Sequence, residues 1–392
     1  MKKQLEQIAN ELQIDRSNWE LVTFGDVAIQ QKETVDRENT DLTRYVKGEH
    51  MYSDDLHLRE WGELKDEYLG PAFIRKFEEG DILYGSRRTY LRKVVVAPFE
   101  GITSNTTFVV KANEGKIDKR LLPFVMKSEG FTAHSIRNSK GSVNPYVNWK
   151  DLANYEFLLP PKEQQGKLAE LLWAMDEVVE KELGILKKVN ILLKSFEKEL
   201  LINAAYETAT ILDVATVQRG KFSHRPRNAP EFYGGSIPFI QTAEVVASDK
   251  YIEKYSQTLN ELGLSVSKMF PKGTIVMTIA ANIGYVGILN FDSAFTDSLV
   301  GIQAENKILL QEYLFYFLNF KQKQIENLAT QSAQKNLSIE GFKKFKVQYP
   351  SSKKTQRDVI EQIDIIREKT IDIQLKLTTS KNLQKSLINQ IF

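Results

Sequence analysis

A segment the size of a whole domain occurs twice in this 392-residue chain, and that duplication restricts the possible folds more than any single motif. Phe77-Glu78-Glu79-Gly80-Asp81-Ile82-Leu83 answers to Phe270-Pro271-Lys272-Gly273-Thr274-Ile275-Val276 at an offset of 193 (273 − 80). Leu193-Lys194-Ser195-Phe196 answers to Gln384-Lys385-Ser386-Leu387 at an offset of 191 (386 − 195). Between these anchors Asn113 matches Asn306, Pro160 matches Pro350 and Gln165 matches Gln356, while Asp26-Val27-Ala28 and Asp213-Val214-Ala215 open the two copies. Solenoid and propeller repeats run at roughly 20–50 residues, so this period describes a tandem pair of domains with pseudo-twofold potential.

Each copy is long enough to bury an ordinary hydrophobic core. The net charge is +2, from 53 Lys and Arg against 51 Asp and Glu. That balance neither demands nor excludes nucleic acid, because binding depends on local clusters. Cysteine is absent, which removes disulfides and thiolate metal sites and points to the cytoplasm. Met1-Lys2-Lys3-Gln4-Leu5-Glu6 has no apolar leader core, and no run reaches the ~18 apolar residues of a membrane span, so no membrane partner is expected.

Residues 1–18 read as a short amphipathic helix (Leu5, Ile8, Leu12). From Trp19 to Pro161, short β-like runs alternate with turn residues: Asp81-Ile82-Leu83-Tyr84, Val94-Val95-Val96-Ala97, Thr107-Phe108-Val109-Val110 and Phe157-Leu158-Leu159. One helical stretch, Lys119 to Phe131, interrupts them. Pro160-Pro161 ends the domain, since proline supplies no ladder donor and restricts its predecessor. From Gln164 to Leu201 there is no proline, and Leu168, Leu172, Met175, Val179, Leu186, Val189, Leu193, Phe196 and Leu200 form a heptad seam with one gap at Glu182.

The second copy repeats the layout, with a β-rich stretch from Thr210 to Pro350 and a helix from Thr355 to Phe392. Its seam is Val359, Ile363, Ile366, Thr370, Ile373, Leu377, Ser380, Gln384, Leu387 and Ile391, and three of these are polar. The expected class is α+β: two β-rich mixed domains separated by two long helices packed as an antiparallel coiled coil. The expected boundaries are 1–161 (first domain with its N-terminal helix), 162–207 (helical spacer), 208–352 (second domain) and 353–392 (C-terminal helix). Wet seams would forfeit about 1.5–3 kcal/mol per aliphatic side chain. A twofold relation would run the helices antiparallel, with one domain at each end of a rod. The alternative folds each helix back on its own domain.

Catalytic signatures fail. No phosphate-binding G-x-x-x-x-G-K-[ST] loop and no glycine-rich cofactor fingerprint after a strand is present, so no cofactor is expected. His50 and His57 flank Asp54-Asp55 without a third ligand, which is weak metal spacing. Asn144-Pro145-Tyr146 lacks the second proline of an adenine-methyltransferase box and reads better as a turn, with Gln334-Lys335-Asn336 in its place in copy two. Basic and aromatic clusters say more. Gly85-Ser86-Arg87-Arg88-Thr89-Tyr90-Leu91-Arg92-Lys93 holds four cations and a tyrosine, followed by Arg137, Lys140 and Asn144. Gln218-Arg219-Gly220-Lys221-Phe222-Ser223-His224-Arg225-Pro226-Arg227-Asn228 holds four cations in copy two, followed by Gln334, Lys335 and Asn336. Arg and Lys suit phosphates and guanine edges, Gln and Asn suit adenine edges. A solvated loop would explain either cluster alone. One cluster per repeat favours double-stranded DNA.

This layout resembles the DNA-specificity subunits of type I restriction–modification systems over almost the whole chain. The residues that carry the resemblance are Gly80-Asp81-Ile82-Leu83-Tyr84 with Gly273-Thr274-Ile275-Val276-Met277, the exits Leu158-Leu159-Pro160-Pro161-Lys162-Glu163-Gln164-Gln165 and Gln348-Tyr349-Pro350 through Gln356, the two helix ends, and Gln218-Arg219-Gly220-Lys221. Copy one departs by carrying Gln30-Gln31-Lys32 where an Arg-Gly segment would stand. The resemblance implies that each domain is a target-recognition domain reading half of a split, asymmetric site, and that this chain is not an enzyme. It also implies a pair of adenine methyltransferase subunits and ATP-driven restriction subunits as partners. Two other classes remain: a coiled-coil interaction scaffold without base-specific recognition, and a nuclease, for which Glu114-Gly115-Lys116 would be the needed fragment.

Overall fold

A computed structural model of the chain describes residues 15–36, 39–224, 226–329 and 336–392. The expected helix positions Leu5, Ile8 and Leu12 lie outside them. The described chain divides into two compact units, Met1–Gly184 with Leu375–Phe392, and Ile185–Gln374. The structure is mixed α+β, as the sequence pattern indicates.

In the first unit the strand Glu20–Thr23 pairs antiparallel with Glu156–Leu159, so the start and end of the copy are tied together. Thr23 then caps a one-turn helix, its N–H and hydroxyl both donating to Asp26 Oδ2 at 2.9 and 2.7 Å. An antiparallel sheet follows in the order Ala28–Gln31, Thr107–Ala112, Ile82–Gly85, Val94–Val96. A second sheet runs Gly62–Glu63, Arg44–Val46, Gly101–Ser104, Phe73–Phe77, with the Arg44–Val46 and Gly101–Ser104 strands parallel.

Alternation along the first sheet explains why its strands read as unbroken apolar runs. Ile82, Tyr84, Val94 and Val110 face the helical core with Phe24, Phe124 and Phe131. Their neighbours Leu83, Val95 and Val109 face the other sheet with Val46 and Phe77. Both faces are buried, so no polar alternation survives. The expected Lys119–Phe131 helix is two helices, Leu122–Lys127 and Glu129–Arg137. Ser128 breaks them: its extended backbone ends the first, and its hydroxyl accepts the Phe131 N–H at 3.1 Å to start the second.

The second unit repeats the plan with different loops. Glu207–Thr210 pairs with Lys346–Tyr349, and Thr210 caps onto Asp213 at 2.8 and 2.6 Å. Its main sheet runs Ala215–Arg219, Leu299–Ala304, Ile275–Thr278, Val286–Leu289, Tyr251–Ile252. The companion sheet runs Gln257–Leu259, Tyr233–Ile240, Ser293–Phe295, Met269–Phe270. The turn before the central strand needs a left-handed glycine in both copies, Gly80 and Gly273, each at φ +87°.

The long helices span Lys162–Leu201 and Lys353–Ile391, and each contributes to both units. In the first unit Leu168 and Leu172 share a core with Leu387, Ile388 and Ile391, and Gln384 donates to Asp176 at 3.0 Å. In the second, Leu201 packs with Val359, Ile360 and Ile363 while Arg367 pairs with Glu197 at 2.9 Å. Within each unit the segments therefore run antiparallel, and no residue of either seam is exposed. Among the described residues, no helix is long and apolar enough to cross a membrane.

Candidate nucleic-acid interface

In copy one, the strand Ile82–Gly85 ends in a turn that the backbone holds in an unusual shape. Arg88 (φ +50°) and Arg92 (φ +51°) are both left-handed, bracketing a single 3-10 turn, Thr89–Leu91. Non-glycine residues adopt that region at a cost, so surrounding contacts must impose it. They do: Arg88 N donates to Pro145 O at 2.6 Å, its Nε to Asn144 Oδ1 at 2.8 Å, and Thr89 Oγ1 meets Ser139 Oγ at 3.0 Å. Bridges Arg87–Tyr146 and Lys140–Tyr146 complete the join. The two basic stretches of copy one thus form one patch, with Arg87, Arg88, Tyr90, Arg137, Lys140 and Asn144 all exposed.

The members of this patch are not equivalent. The side chains of Arg87, Tyr90 and Arg137 make no hydrogen bond or ion pair among the described residues, so their donors are open to a ligand. Lys140 pairs with Asp151 at 3.3 Å. Arg92 turns inward to Asp54 and Glu129, each at 2.6 Å, and to Lys127 O at 2.8 Å. Lys93 donates to Gly48 O, and burial pushes its ammonium pKa down. Arg92 and Lys93 serve here to hold the turn.

Copy two places its cations elsewhere. Arg219 ends the edge strand, its Nε donating to Asp297 O at 2.7 Å, and Arg227 forms an ion pair with the Asp297 carboxylate. Gly220 lies so close to the Phe295–Thr296 backbone that a Cβ would meet Thr296 O at 2.1 Å. Lys221 is exposed, and His224 lies 4.3 Å from the Phe232 ring. Asn336 is exposed and bridges to Ala280, whereas Arg225, Gln334 and Lys335 lie outside the described residues. Arg227 and Asn228 border a cavity of about 570 Å³ floored by Phe222, Tyr233 and Phe239. Gln241 and Gln257 line the same cavity and hydrogen-bond each other. A search for cation clusters passes over both, because they come from separate segments and meet only in the fold.

The histidines are engaged in structure. His57 Nε2 lies 2.6 Å from Asp176 Oδ2, and that hydrogen bond raises its pKa against the opposing effect of burial. Burial opposes ionisation of Asp176, yet His57 and Gln384 together hold its pKa below the usual carboxylate value. His50 Nδ1 accepts the Lys47 N–H at 3.2 Å. Glu114-Gly115-Lys116 forms a turn closed by Lys116 N to Asn113 O at 2.8 Å.

Comparison with known proteins agrees with this duplicated layout. The type I restriction modification DNA specificity domain matches residues 16–190 and again 203–380. The chain is 29% identical over 212 residues to the type I restriction enzyme EcoDI specificity subunit of Escherichia coli, covering 51% of this chain and 46% of that protein. It therefore matches less than half the length of that relative. Among solved structures, a chain from work on complex assembly and conformational transition of the type I R-M system superposes with a TM-score of 0.63 at 17% identity, covering 95% of this chain and 97% of that one. The type I restriction-modification S subunit from M. genitalium gives 0.58 at 14% identity, covering 97% and 98%. At these identities the structures speak for the fold. The two matched segments account for most of the sequence, and the chain belongs to the type I restriction modification DNA specificity family, whose domain it carries twice.

Proposed function

We propose that this chain is the sequence-specific DNA-binding subunit of a type I restriction–modification complex. Each globular copy, 1–161 and 208–352, reads one half of a bipartite, asymmetric duplex site. The helical segments, 162–207 and 353–392, set the spacer and dock a pair of adenine methyltransferase subunits, with restriction subunits supplying ATP-driven translocation and cleavage. The chain itself recognises and does not catalyse, and it works in the cytoplasm on chromosomal and incoming DNA. Exposed Ile191 and Leu192 on the first long helix, 61% and 66% accessible, suit a protein partner on that surface.

The observation that carries this reading is the presence of one basic, aromatic-edged loop system per copy. In copy one it is Arg87, Arg88, Tyr90, Arg137, Lys140 and Asn144, held on a strand end. In copy two it is Arg219 and Lys221 at the end of the edge strand, with Arg227 joined to Arg219 through Asp297 and bordering the Phe222 cavity. Rigid elements holding Arg, Asn and Gln at a surface suit base-edge and phosphate contacts. The test is the host's adenine-methylation map by single-molecule sequencing, with and without this gene. Loss of one bipartite, asymmetric methylated motif is the expected result. An unchanged map, with the partner methyltransferase expressed, would contradict it and favour a protein scaffold.

A further inference from the structure

We propose that Gln241 is a specificity-determining residue of the second copy and that it reads an A·T base pair through its side-chain amide. The inference rests on the DNA-recognition reading above and adds a position and a base to it. Four observations lead to it.

First, the arginines of copy two are partly committed. Arg219 and Arg227 both converge on Asp297, one through its main-chain oxygen and one through its carboxylate. A guanidinium already paired with a carboxylate is a poorer reader of a base edge than of a phosphate that can share it. Second, the cavity that Arg227 borders carries amides in its lining: Asn228, Gln241 and Gln257. Amides offer a donor and an acceptor side by side, the pairing that matches adenine N7 and N6 in the major groove.

Third, Gln241 is held in place from both sides. It follows the buried strand end Ile240 and precedes the helix Thr242–Ala247. Its backbone N–H donates to Glu244 Oε2 at 3.1 Å, and Glu244 Oε1 in turn accepts the Ser256 N–H at 3.2 Å. Its side-chain Nε2 donates to Gln257 Oε1. That bond uses one N–H and leaves the second N–H, with lone-pair capacity on Oε1, for a base. A reader built this way loses little rotamer freedom on binding.

Fourth, the equivalent position in copy one carries a different chemistry. Val46 and Ile240 end the strands that pair in parallel with Gly101–Ser104 and Ser293–Phe295, so Lys47 occupies the place of Gln241. A lysine there, paired with Glu67 at 2.5 Å, cannot offer the donor–acceptor pair of an amide. Two halves of an asymmetric site call for such a difference.

The test uses the full chain co-expressed with its methyltransferase subunits, comparing methylation maps for the wild type, Gln241→Ala and Gln241→Glu. With Gln241→Ala, one A·T position of one half-site should accept other pairs, its discrimination falling about 5- to 150-fold, while the other half-site stays unchanged. Gln241→Glu keeps the size, loses the donor, and should shift that position toward cytosine, whose N4 donates. If Gln241→Ala abolishes methylation, binding of the Gln241→Glu complex to duplexes bearing each pair at that position decides the matter. An intact bipartite wild-type motif with unaltered base preference in both variants overturns the proposal and leaves the DNA reading standing. A wild-type map without a gene-dependent bipartite motif overturns both.

Discussion

One backbone turn occurs in both copies with opposite chemistry on it. In copy one it is Ser86-Arg87-Arg88, with Arg88 at φ +50° and Arg87 bridged to Tyr146. In copy two, 193 positions on (281 − 88), it is Ile279-Ala280-Ala281, with Ala281 at φ +60° and Ala280 bridged to Asn336. The strained shape is duplicated and the cations are not. Copy two carries its charge on Arg219, Lys221 and Arg227, at and beyond the end of the edge strand Ala215–Arg219, which the Leu299–Ala304 strand separates from the strand leading into this turn. The scaffold and the loop chemistry are therefore separable, as the proposed reading of two different half-sites requires.

The scaffold itself is duplicated bond for bond. Gln165 Nε2 donates to Pro160 O (2.9 Å) and Lys116 O (3.2 Å), and its Oε1 accepts the Asp118 N–H (2.7 Å). Gln356 does the same with Pro350 O (2.8 Å), Ile308 O (3.0 Å) and the Leu310 N–H (2.8 Å). Each buried amide ties the start of a long helix to its own domain. The polar clamp between helix segments differs: Asp176 with Gln384 and His57 in the first unit, Glu197 with Arg367 in the second.

These differences and identities can be broken in order of size. Arg367→Met leaves Glu197 buried and uncompensated and should cost about 3–5 kcal/mol in urea unfolding of the second unit. A cost under ~1 kcal/mol would show that the pair only decorates the helix seam. Gln165→Ala and Gln356→Ala should each cost about 3 kcal/mol, from buried main-chain groups left without partners at roughly 1–3 kcal/mol apiece. Hydrogen exchange at the Asp118 and Leu310 amides checks the equality, each losing protection only in its own variant. Unequal losses would end the claim of a bond-for-bond scaffold.

Replacing Arg87 and Arg88 should weaken recognition of the first half-site alone, by about 1–3 kcal/mol for a lost bidentate base contact. Replacing Arg219 and Lys221 should act on the second alone. Uniform weakening across sequences with a shallower salt slope would instead mark phosphate contacts. The smallest effect is one of pH. His57 has a raised folded pKa, so its contact stabilises fully below the unfolded value of about 6.5 and fades as pH rises through the folded value. Asp176 has a lowered one, so its share is present above about 3.9 and is lost as pH falls through the folded value. Thermal unfolding of the first unit should therefore weaken from neutral to alkaline pH in the wild type and not in His57→Gln. The corresponding clamp of the second unit, Glu197 with Arg367, contains no histidine, so this slope should belong to the first unit alone.

Much of the architecture was legible because it is periodic. The seam residues Leu168 through Ile391 are covered because a heptad pattern admits one face, and Gln165 with Gln356 could be paired from the repeat alone. The break at Ser128 was not legible, since its capping hydroxyl competes with a helical pattern that continues on either side. Arg92 read as a surface cation like Arg87, yet partners from distant segments, Asp54 and Glu129, draw it inward. Gln241 carried no local signal at all, because its role depends on a cavity assembled from several segments.

The most direct test of two independent readers on one frame is to remove one heptad from the Lys162–Leu201 helix and its match from the second helix, then map adenine methylation. Seven residues shorten a helix by roughly 10 Å, about three base pairs at ~3.4 Å each. The account predicts the same two half-sites with a shorter spacer between them. A changed sequence in either half-site would contradict it.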